Sequence, residues 1–328
     1  DNNLGATTRI QYASSTKFFL DDKRAGKPWV TRLPFPVQVV EKVETLDRIS
    51  GSKAVSSFSY HDGYFDPVER EFRGFGYVEI RDTQTFEEFS QPGLHSSRVK
   101  FNAGRAELHV APMLTKRWYH IGAYIESGVI SCQYETEYYH GDPEAFPSPD
   151  SIFDPAIMAG DTEIIRQAYI ALKGQLLREE VYGLDGSSRE HNPFTVSEQS
   201  YVVRMIQPPD GTRYAVFLTS DREAWNYEYD RDSTDPRIGQ TLTLVVDEYA
   251  NTTQTCQIFY PRRIPVPLPV SADPANSIYP EQTTLHSIVE NTDVTNVVEG
   301  FRLLGILWQL RSFELGGLSL PARGYFTW

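Results

Sequence analysis

Cysteine, methionine, basic residues and long apolar runs are all scarce in this sequence of 328 residues. Two cysteines, Cys132 and Cys256, cannot build a disulfide-rich scaffold, and the seven histidines form no metal-binding motif. No apolar run approaches the roughly 18 residues of a membrane span, so we predict no direct membrane insertion. The 31 basic residues face 44 acidic ones, and a net charge of −13 repels phosphate backbones, which excludes nucleic acid as a partner.

Enzyme signatures are also missing. The sequence has no phosphate-binding P-loop and no G-x-S-x-G nucleophile elbow. Gly74-Phe-Gly76 lacks the third glycine and the strand–helix setting of a dinucleotide site. We therefore predict no enzyme, and no catalytic, cofactor-binding or metal-binding residue. The chain starts at Asp1 with neither a methionine nor an export signal, which is typical of a piece of a longer polypeptide.

Aromatic residues are abundant: 19 Tyr, 18 Phe and 5 Trp make up 13% of the chain. Aromatic and β-branched side chains fit a pleated, half-buried surface, and short runs of them recur between Gly, Pro, Asp and Asn turns. These runs cover residues 8–12, 37–43, 54–60, 76–81, 108–111, 201–206, 214–219, 241–247 and 253–260. The pattern predicts a mainly β fold with an antiparallel sheet.

Helical signals are concentrated in one segment. Residues 161–172 carry apolar side chains at helical spacing, between a capping residue at Asp161 and a stop signal at Gly174. This pattern predicts a helix of about three turns. We expect one or two short helices in the whole chain.

Proline marks two irregular stretches. Residues 144–155 combine prolines with acidic residues and indicate a boundary between two β-rich regions, 1–145 and 146–328. Residues 261–280 are also rich in proline. We expect this second stretch to cross the surface in extended form.

The alternation Glu69-Arg-Glu71 permits an enzymatic interpretation. An ADP-ribosyltransferase needs an Arg, a Ser-Thr-Ser strand and a Glu-x-Glu loop, and Arg9, Ser14-Ser-Thr16 and Glu69-Arg-Glu71 occur in that order. The Ser-Ser-Thr order departs from that site, and alternating Glu and Arg are common on solvated strands. An ADP-ribosyltransferase-like toxin domain stays an alternative.

A carbohydrate-binding β module is the other alternative, because aromatic side chains can stack on sugars. Such a platform needs an exposed Trp or Tyr. Trp29, Trp118 and Trp225 lie beside charged residues, a setting that fits strand packing equally well.

The most unusual segment is a predicted hairpin. Tyr60-His-Asp-Gly-Tyr-Phe-Asp66 is an aromatic strand that ends in a turn at Asp66-Pro67, and the next strand has Phe72 and Phe75 facing inward. Gly74 and Gly76 in the second strand permit a bulge or a close backbone approach. Neighbouring acidic residues supply counterions for Arg70 and Arg73. The residues of this structural motif are Tyr60, His61, Gly63, Tyr64, Glu69, Arg70, Glu71, Arg73, Gly74 and Gly76.

Further blocks of unusual composition extend this motif along most of the chain. Together they cover residues 12–18, 27–37, 60–64, 69–76, 116–120, 172–178, 181–186, 193–196, 235–238, 246–251 and 260–263. In these blocks the sequence resembles the B component of ABC-type insecticidal toxin complexes (Tc toxins) and its SpvB-like relatives. So many blocks in one order are a far more specific marker than any single motif.

The resemblance implies a structural role. In that family the B and C components form a hollow shell of RHS-repeat β-strands around a cytotoxic effector, and this chain resembles the middle region of the B component. The implied fold is a large curved antiparallel β-sheet of the RHS-shell type, in a secreted complex. The implied partners are the C component and its enclosed effector, with the A component reached only through regions outside this chain. Glu69-Arg-Glu71 then belongs to a salt-bridged strand, and no catalytic residue is carried over.

Two positions depart from the family pattern. The family's Asp-x-Tyr-Gly-Asn turn is here Asp247-Glu-Tyr-Ala250-Asn251. Because alanine tolerates positive φ less well than glycine, we expect this turn to adopt another type. Asp62 stands where the family often has a second histidine beside His61, so the resemblance assigns no local role to a histidine here.

Overall fold

A computed structural model of the chain describes residues 1–91, 93–95, 110–124, 134–263 and 280–328. Within these residues the chain is mainly β, with thirteen strands in one sheet and a few short helices. Within each unit the described strand pairs are antiparallel except for the parallel pair of β6 and β8, and apart from β6 the strand order follows the chain. The mainly β, antiparallel prediction with short helices is therefore confirmed.

The elements have the following bounds. The strands are β1 Ala6–Ser14, β2 Gln38–Asp47, β3 Lys53–Asp66, β4 Glu71–Asp82, β5 Met113–Tyr119, β6 Ile152–Phe153, β7 Leu176–Gly183, β8 Thr195–Gln207, β9 Val216–Glu228, β10 Arg237–Val246, β11 Thr252–Phe259, β12 His286–Val297 and β13 Leu303–Glu314. The helices are α1 Ser15–Arg24, α2 Phe86–Phe89, α3 Pro155–Met158 and α4 Thr162–Ile170. Short 3₁₀ turns cover Glu135–Glu137 and Pro280–Thr283.

The chain divides into two compact units, residues 1–123 with 173–194 and residues 124–172 with 195–328. The first unit contains β1 to β5 and β7, hydrogen-bonded in that order. Its core includes Trp118, which has no exposed surface and stacks on Tyr77 with ring centroids 4.7 Å apart. These two residues are direct cross-strand partners on β4 and β5, so strand register places the two rings face to face. The predicted division at residue 145 stays a prediction.

In the second unit, β8 to β13 are paired in chain order, and β6 pairs in parallel with β8. Trp225, Tyr227 and Tyr229 alternate along the β9 segment and are all buried. Because strand side chains repeat with a period of two, the three rings lie on one face, where they pack against residues such as Ile238 and Tyr260. A smaller cluster forms where α3 and α4 cover β8. Much of the aromatic content of this unit is therefore core.

Helix α4 lies within the segment for which the sequence predicts a helix. The Asp161 side chain accepts a hydrogen bond from the backbone N–H of Ile164 at 2.9 Å, which is an N-cap. Gly174, the predicted stop, takes φ +82° three residues after the C-cap position Ala171. The local signals thus coincide with the observed helix.

Helix α1 has no counterpart in the prediction. The Ser14 side chain caps the helix by accepting a hydrogen bond from the backbone N–H of Thr16. Lys23 and Arg24 lie in the last turn, where positive charges interact favourably with the helix dipole. Phe18 is the one apolar side chain that the helix buries. A single buried apolar residue leaves no helical period to detect, which explains the omission.

Five strands lie outside the predicted runs: β5, β6, β7, β12 and β13. In β5 and β7, charged residues alternate and pair across the ladder, as in the Arg117–Glu179 ion pair at 2.5 Å. Such pairing stabilises a sheet but gives no hydrophobic signal in either strand alone. The predicted run 108–111 lies partly outside the described residues, and so does most of the predicted crossing 261–280.

Candidate functional site

The predicted structural motif forms the β3–β4 hairpin. The first strand ends at Asp66 and the second begins at Glu71, with the intervening turn at the predicted position. Opposite Tyr64 the second strand has one extra residue, and there Gly74 takes φ +94°. Glycine alone adopts this backbone without strain, so the bulge explains the need for Gly74.

The aromatic side chains of the hairpin pack on one another. The Phe72 and Phe75 rings meet edge to face, with centroids 5.5 Å apart. The Tyr60 ring lies 5.0 Å from Phe75, and burial raises the pKa of its hydroxyl. Gly76 is buried in the same strand. The aromatic residues of the motif therefore serve packing, whereas Gly74 serves the backbone geometry of the bulge.

Arg73 is the buried charge of this hairpin. Its side chain has no exposed surface, and its guanidinium lies 2.7 Å from the Asp66 carboxylate and 3.5 Å from that of Glu71. It also donates a hydrogen bond to the carbonyl of Gly122 at 3.2 Å. Asp66 in addition accepts two backbone N–H groups of the turn, at 2.8 and 3.1 Å. The ion pair between Arg73 and Asp66 therefore closes the turn. The hydrogen bond from Arg73 to Gly122 joins the hairpin to a segment that is distant in the sequence.

The residues of the ADP-ribosyltransferase alternative lie on separate elements. Glu71 is half-exposed and pairs with Lys173 at 2.7 Å, as well as with the buried arginine, while Glu69 lies in the turn and Arg70 is exposed there with φ +54°. Arg9 lies on β1, which two other strands separate from β4, and donates to the carbonyl of Leu94. Residues 14–16 begin α1. The salt-bridged interpretation of Glu71 agrees with this geometry.

His61 has a carboxylate partner, Asp22, that the sequence did not reveal. The ring nitrogen Nδ1 of His61 lies 2.7 Å from the Asp22 carboxylate, which also accepts from the indole N–H of Trp29 at 2.6 Å. The imidazole stacks on Tyr77 with ring centroids 4.7 Å apart. His61 thereby ties α1 and the following loop to β3.

The neighbouring residues of the motif hold the block 27–37. The buried Asp62 side chain accepts from the backbone N–H of Val30 at 2.7 Å, and the Thr31 hydroxyl donates to the carbonyl of Gly63 at 3.0 Å. A Cβ at position 63 would lie 2.8 Å from the Trp29 ring, so only glycine fits there. Two blocks that mark the family in sequence are thus in direct contact.

A second pair of blocks meets in the same unit. The backbone N–H of His120 donates to the carbonyl of Gln175 at 2.9 Å, and that of Gly174 donates to the carbonyl of His120 at 2.8 Å. Burial lowers the pKa of the His120 imidazole to about 4, so the ring is neutral at pH 7. The block 116–120 therefore pairs with residues from the block 172–178.

A third pair meets in the second unit. Asp235 accepts from the guanidinium of Arg262 at 2.8 and 3.0 Å and from the backbone N–H of Arg263 at 2.8 Å. The Arg263 guanidinium forms a two-pronged pair with Asp142 at 2.8 and 2.9 Å, and the Tyr229 hydroxyl donates to the same carboxylate. The sequence analysis did not single out Asp142. It noted only the proline-rich, acidic stretch 144–155 that follows this residue, and interpreted that stretch as a boundary.

The turn at residues 247–251 differs from the sequence-based expectation. Ala250 takes φ +71°, so the turn keeps left-handed backbone despite the replacement of glycine. Asp247 holds this geometry by accepting from the backbone N–H groups of Tyr249 and Asn251 at 2.9 and 2.8 Å. Burial opposes ionisation of Asp247, but hydrogen bonds from Asn251 and Asn296 outweigh it and hold the pKa of this carboxyl below its ordinary value. The carboxylate compensates for the strained alanine.

The tryptophans considered as sugar platforms have other surroundings. Trp118 and Trp225 are buried, and Trp29 is half-buried with its N–H bonded to a carboxylate. An exposed tryptophan does occur at Trp308 on β13, where other apolar side chains are also exposed. The members of this group, here named the apolar edge, are Leu303, Ile306, Leu307, Trp308, Leu310 and Phe313.

A groove of about 540 Å³ lies in the second unit, between β9, β10 and β11 and the turn at residues 280–283. Two of its polar side chains have close partners: Arg237 pairs with Glu228 at 2.8 Å, and His286 is hydrogen-bonded to the carbonyl of Glu281 at 2.9 Å. Among the described residues, no group of three or more His, Cys, Asp or Glu side chains could hold a metal ion. No helix in the described part of the chain is long and apolar enough to cross a membrane.

Two family models match the sequence. The middle/N-terminal region of the insecticide toxin TcdB matches residues 1–103, and the middle/C-terminal region of the same toxin matches residues 167–306. No curated protein sequence gives a significant match.

Solved structures resemble nearly the whole chain. The crystal structure of TcdB2–TccC3 is 34% identical with a TM-score of 0.79, over 99% of this chain and 16% of that chain. The same complex without the hypervariable C-terminal region is 33% identical with a TM-score of 0.80, over 99% and 15%. A Photorhabdus luminescens Tc holotoxin pore is 32% identical with a TM-score of 0.77, also over 99% and 15%. The chain spans a small part of the structures that it matches, and it belongs to the TcdB family of insecticidal Tc toxins, within the middle region of that protein.

Proposed function

We propose that this chain is a non-enzymatic structural segment of a Tc-toxin B component, part of an RHS-repeat β-shell that encloses and delivers a cytotoxic effector. The apolar edge is the observation that carries this proposal. In the described residues β13 pairs with β12 alone, while Trp308 is 65% exposed and Leu307 57% exposed. A long apolar strand with an open ladder needs a covering partner in a stable protein.

The proposed partners follow from the family. The matched structures contain TcdB2 together with TccC3, and one is a holotoxin pore. We infer that this chain contributes to enclosure by a B component and a C component, and that the effector is their cargo. Contact with the A component would involve regions outside this chain, and the assembled toxin would be secreted.

The proposal assigns no catalytic residue to the chain. The acidic side chain that an ADP-ribosyltransferase would use, Glu71, is engaged by Arg73 and Lys173. Arg9, the candidate arginine, is bonded to a backbone carbonyl on another part of the unit. Both arrangements support a role in holding strands together.

A B–C complex with the double substitution Trp308→Lys and Leu310→Lys tests the proposal. Both positions are exposed on β13, so the double substitution places two charges at the junction with the next part of the shell. We expect poor recovery of the complex and digestion of the effector by added protease. Ile49→Lys, at an 82% exposed turn position, is the matched control. It should leave the recovery of the complex and the protection of the effector from protease unchanged. Full recovery with full protection of the effector in the double variant would contradict the proposal.

A further inference from the structure

The groove of about 540 Å³ in the second unit has a mid-strand glycine in its lining. Gly239 lies inside β10, and its direct cross-strand partners are Asn226 on β9 and Phe259 on β11. Its chain neighbours Ile238 and Gln240 are buried. Because strand side chains repeat with a period of two, the side-chain position of Gly239 faces away from the buried aromatic core of this unit.

Nothing in the described structure requires glycine at this position. The backbone of Gly239 is not left-handed, and a Cβ there would meet no atom of the described residues within 4 Å. Gly63 is the contrast, because a Cβ at that position would lie 2.8 Å from the Trp29 ring. A glycine inside a strand weakens the strand, and it often marks a site where a ligand or another backbone approaches closely. The open space at Gly239 is therefore available to a group from another molecule.

An exposed aromatic ring lies beside this space. Phe259 is 44% exposed, and it is the cross-strand partner of Gly239 on one side and of His286 on the other. Its ring leaves the space open, since no atom of it comes within 4 Å of the Cβ position of the glycine. The volume of the groove falls in the range of about 300–1,000 Å³ that is typical of ligand sites.

The two arginines of the lining are already neutralised. The Arg237 guanidinium lies 2.8 Å from the Glu228 carboxylate and 2.6 Å from that of Asp230. The Arg262 guanidinium lies 2.8 Å from the Asp235 carboxylate. Because two guanidiniums face three carboxylates, this part of the groove does not favour an anionic ligand.

Glu281 adds a further negative charge to the lining. Its side chain is exposed, and within the described part of the chain its carboxylate forms no ion pair and no hydrogen bond. His286, also in the lining, lies 3.3 Å from another carboxylate, that of Glu314. The described lining residues and their ion-pair partners thus hold five carboxylates against two guanidiniums. This excess complements a cation.

We propose that the groove binds an arginine side chain presented by an extended segment of a partner polypeptide. A guanidinium is planar and stacks on aromatic faces, which fits the open space at Gly239 beside the Phe259 ring. It also donates two parallel hydrogen bonds to one carboxylate, and Glu281 is the acceptor without a partner. A lysine ammonium has the same charge but not the planar fork. The proposal is independent of the shell function, because it requires only that the groove is open in the assembled protein.

The test uses the B–C complex, with the fluorescein-labelled peptide Gly-Thr-Thr-Arg-Thr-Thr-Gly as the probe. Fluorescence anisotropy should report saturable binding of this peptide. The same peptide with citrulline in place of arginine keeps the shape and loses the charge, so it should bind at least about tenfold more weakly. The affinity of a peptide with lysine at this position should lie between the two.

Three substitutions test the groove from the protein side. Glu281→Gln removes the charge of the acceptor and should weaken binding of the arginine peptide about tenfold. Glu248→Gln removes an exposed charge in the turn that follows β10, and as the matched control it should leave binding unchanged. Gly239→Val fills the open space and should abolish saturable binding, while the midpoint of urea unfolding stays the same or rises, since valine favours strands.

Four results would overturn the proposal: no saturable binding of the arginine peptide by the folded complex, equal binding of the arginine and citrulline peptides, unchanged binding by the Glu281→Gln complex, or unchanged binding by a folded Gly239→Val complex. Glu281→Gln decides the matter even where Gly239→Val prevents assembly, because an exposed carboxylate and its amide have the same shape.

Discussion

Ala250 holds a left-handed backbone in the turn between β10 and β11, with φ +71°. This conformation costs an L-residue about 1–2 kcal/mol, because its Cβ approaches the following carbonyl oxygen. Glycine avoids that cost but loses about 0.5–1 kcal/mol more backbone entropy on folding. Since Asp247 fixes the turn through two backbone N–H groups, the substitution Ala250→Gly leaves the hydrogen bonds in place. We expect it to stabilise the protein by about 0.5–1 kcal/mol.

Urea denaturation followed by tryptophan fluorescence measures this effect as a higher midpoint. A thermal melt should show an increase of about 1–4 °C for a unit of this size. Ala54→Gly is the matched control, since Ala54 is also exposed but lies inside β3 without positive φ. The Ala54→Gly substitution should lower the free energy of unfolding by about 0.5–1 kcal/mol, whereas Ala250→Gly should raise it. A loss of stability in both variants would refute the assignment of a strained backbone to Ala250.

Three further substitutions test the described contacts. Arg73→Ala removes the cation beside the buried Asp66 carboxylate and should lower the free energy of unfolding by about 3–5 kcal/mol in urea titrations, whereas Arg70→Ala on the exposed turn should change it by less than about 0.5 kcal/mol. Asp247→Asn should destabilise the protein at neutral pH. Because the folded-state pKa of Asp247 is lowered, its contribution is complete above the unfolded value of about 4 and is lost as the pH falls through the folded-state pKa, so the stability gap between wild type and variant should narrow in acid melts. Glu71→Gln and wild type should both transfer no label from radioactive NAD to lysate proteins.

The contrary outcomes are distinct. Equal losses in Arg73→Ala and Arg70→Ala would mean that the buried ion pair contributes nothing measurable. A stability gap for Asp247→Asn that is constant between neutral pH and about pH 3 would contradict the lowered pKa. NAD-dependent labelling that disappears in Glu71→Gln would replace the structural function with an enzymatic one.

Features that depend on neighbouring residues could be predicted from the sequence. The β3–β4 hairpin follows from the alternating aromatic residues and the Asp66-Pro67 turn, and α4 follows from its cap at Asp161. Helix α1 could not be predicted, because it buries a single apolar side chain. Strand β7 could not be predicted, because its charged residues are stabilised by partners on another strand and give no hydrophobic signal of their own.

The partners of the motif residues could not be predicted, because they come from distant parts of the chain. Arg73 binds the Gly122 carbonyl, and His61 binds Asp22, although no local pattern links either pair. The family resemblance located the blocks but not their mutual contacts. Exposure of Trp308 was equally hidden, since an apolar strand with an open side has the same composition as a covered one.

The sequential pairing of β8 to β13 has a consequence for synthesis. Each strand from β9 onward pairs with the strand translated just before it, so these five ladders join strands that are neighbours in the sequence. The sheet can therefore grow by one strand at a time as the polypeptide leaves the ribosome. At every stage the newest strand is the edge strand, with unpaired backbone N–H and C=O groups on its outer side. From β8 to β13 the order of the strands in the sheet is thus the order of their synthesis, and the apolar residues of β13 lie on the last strand of that order.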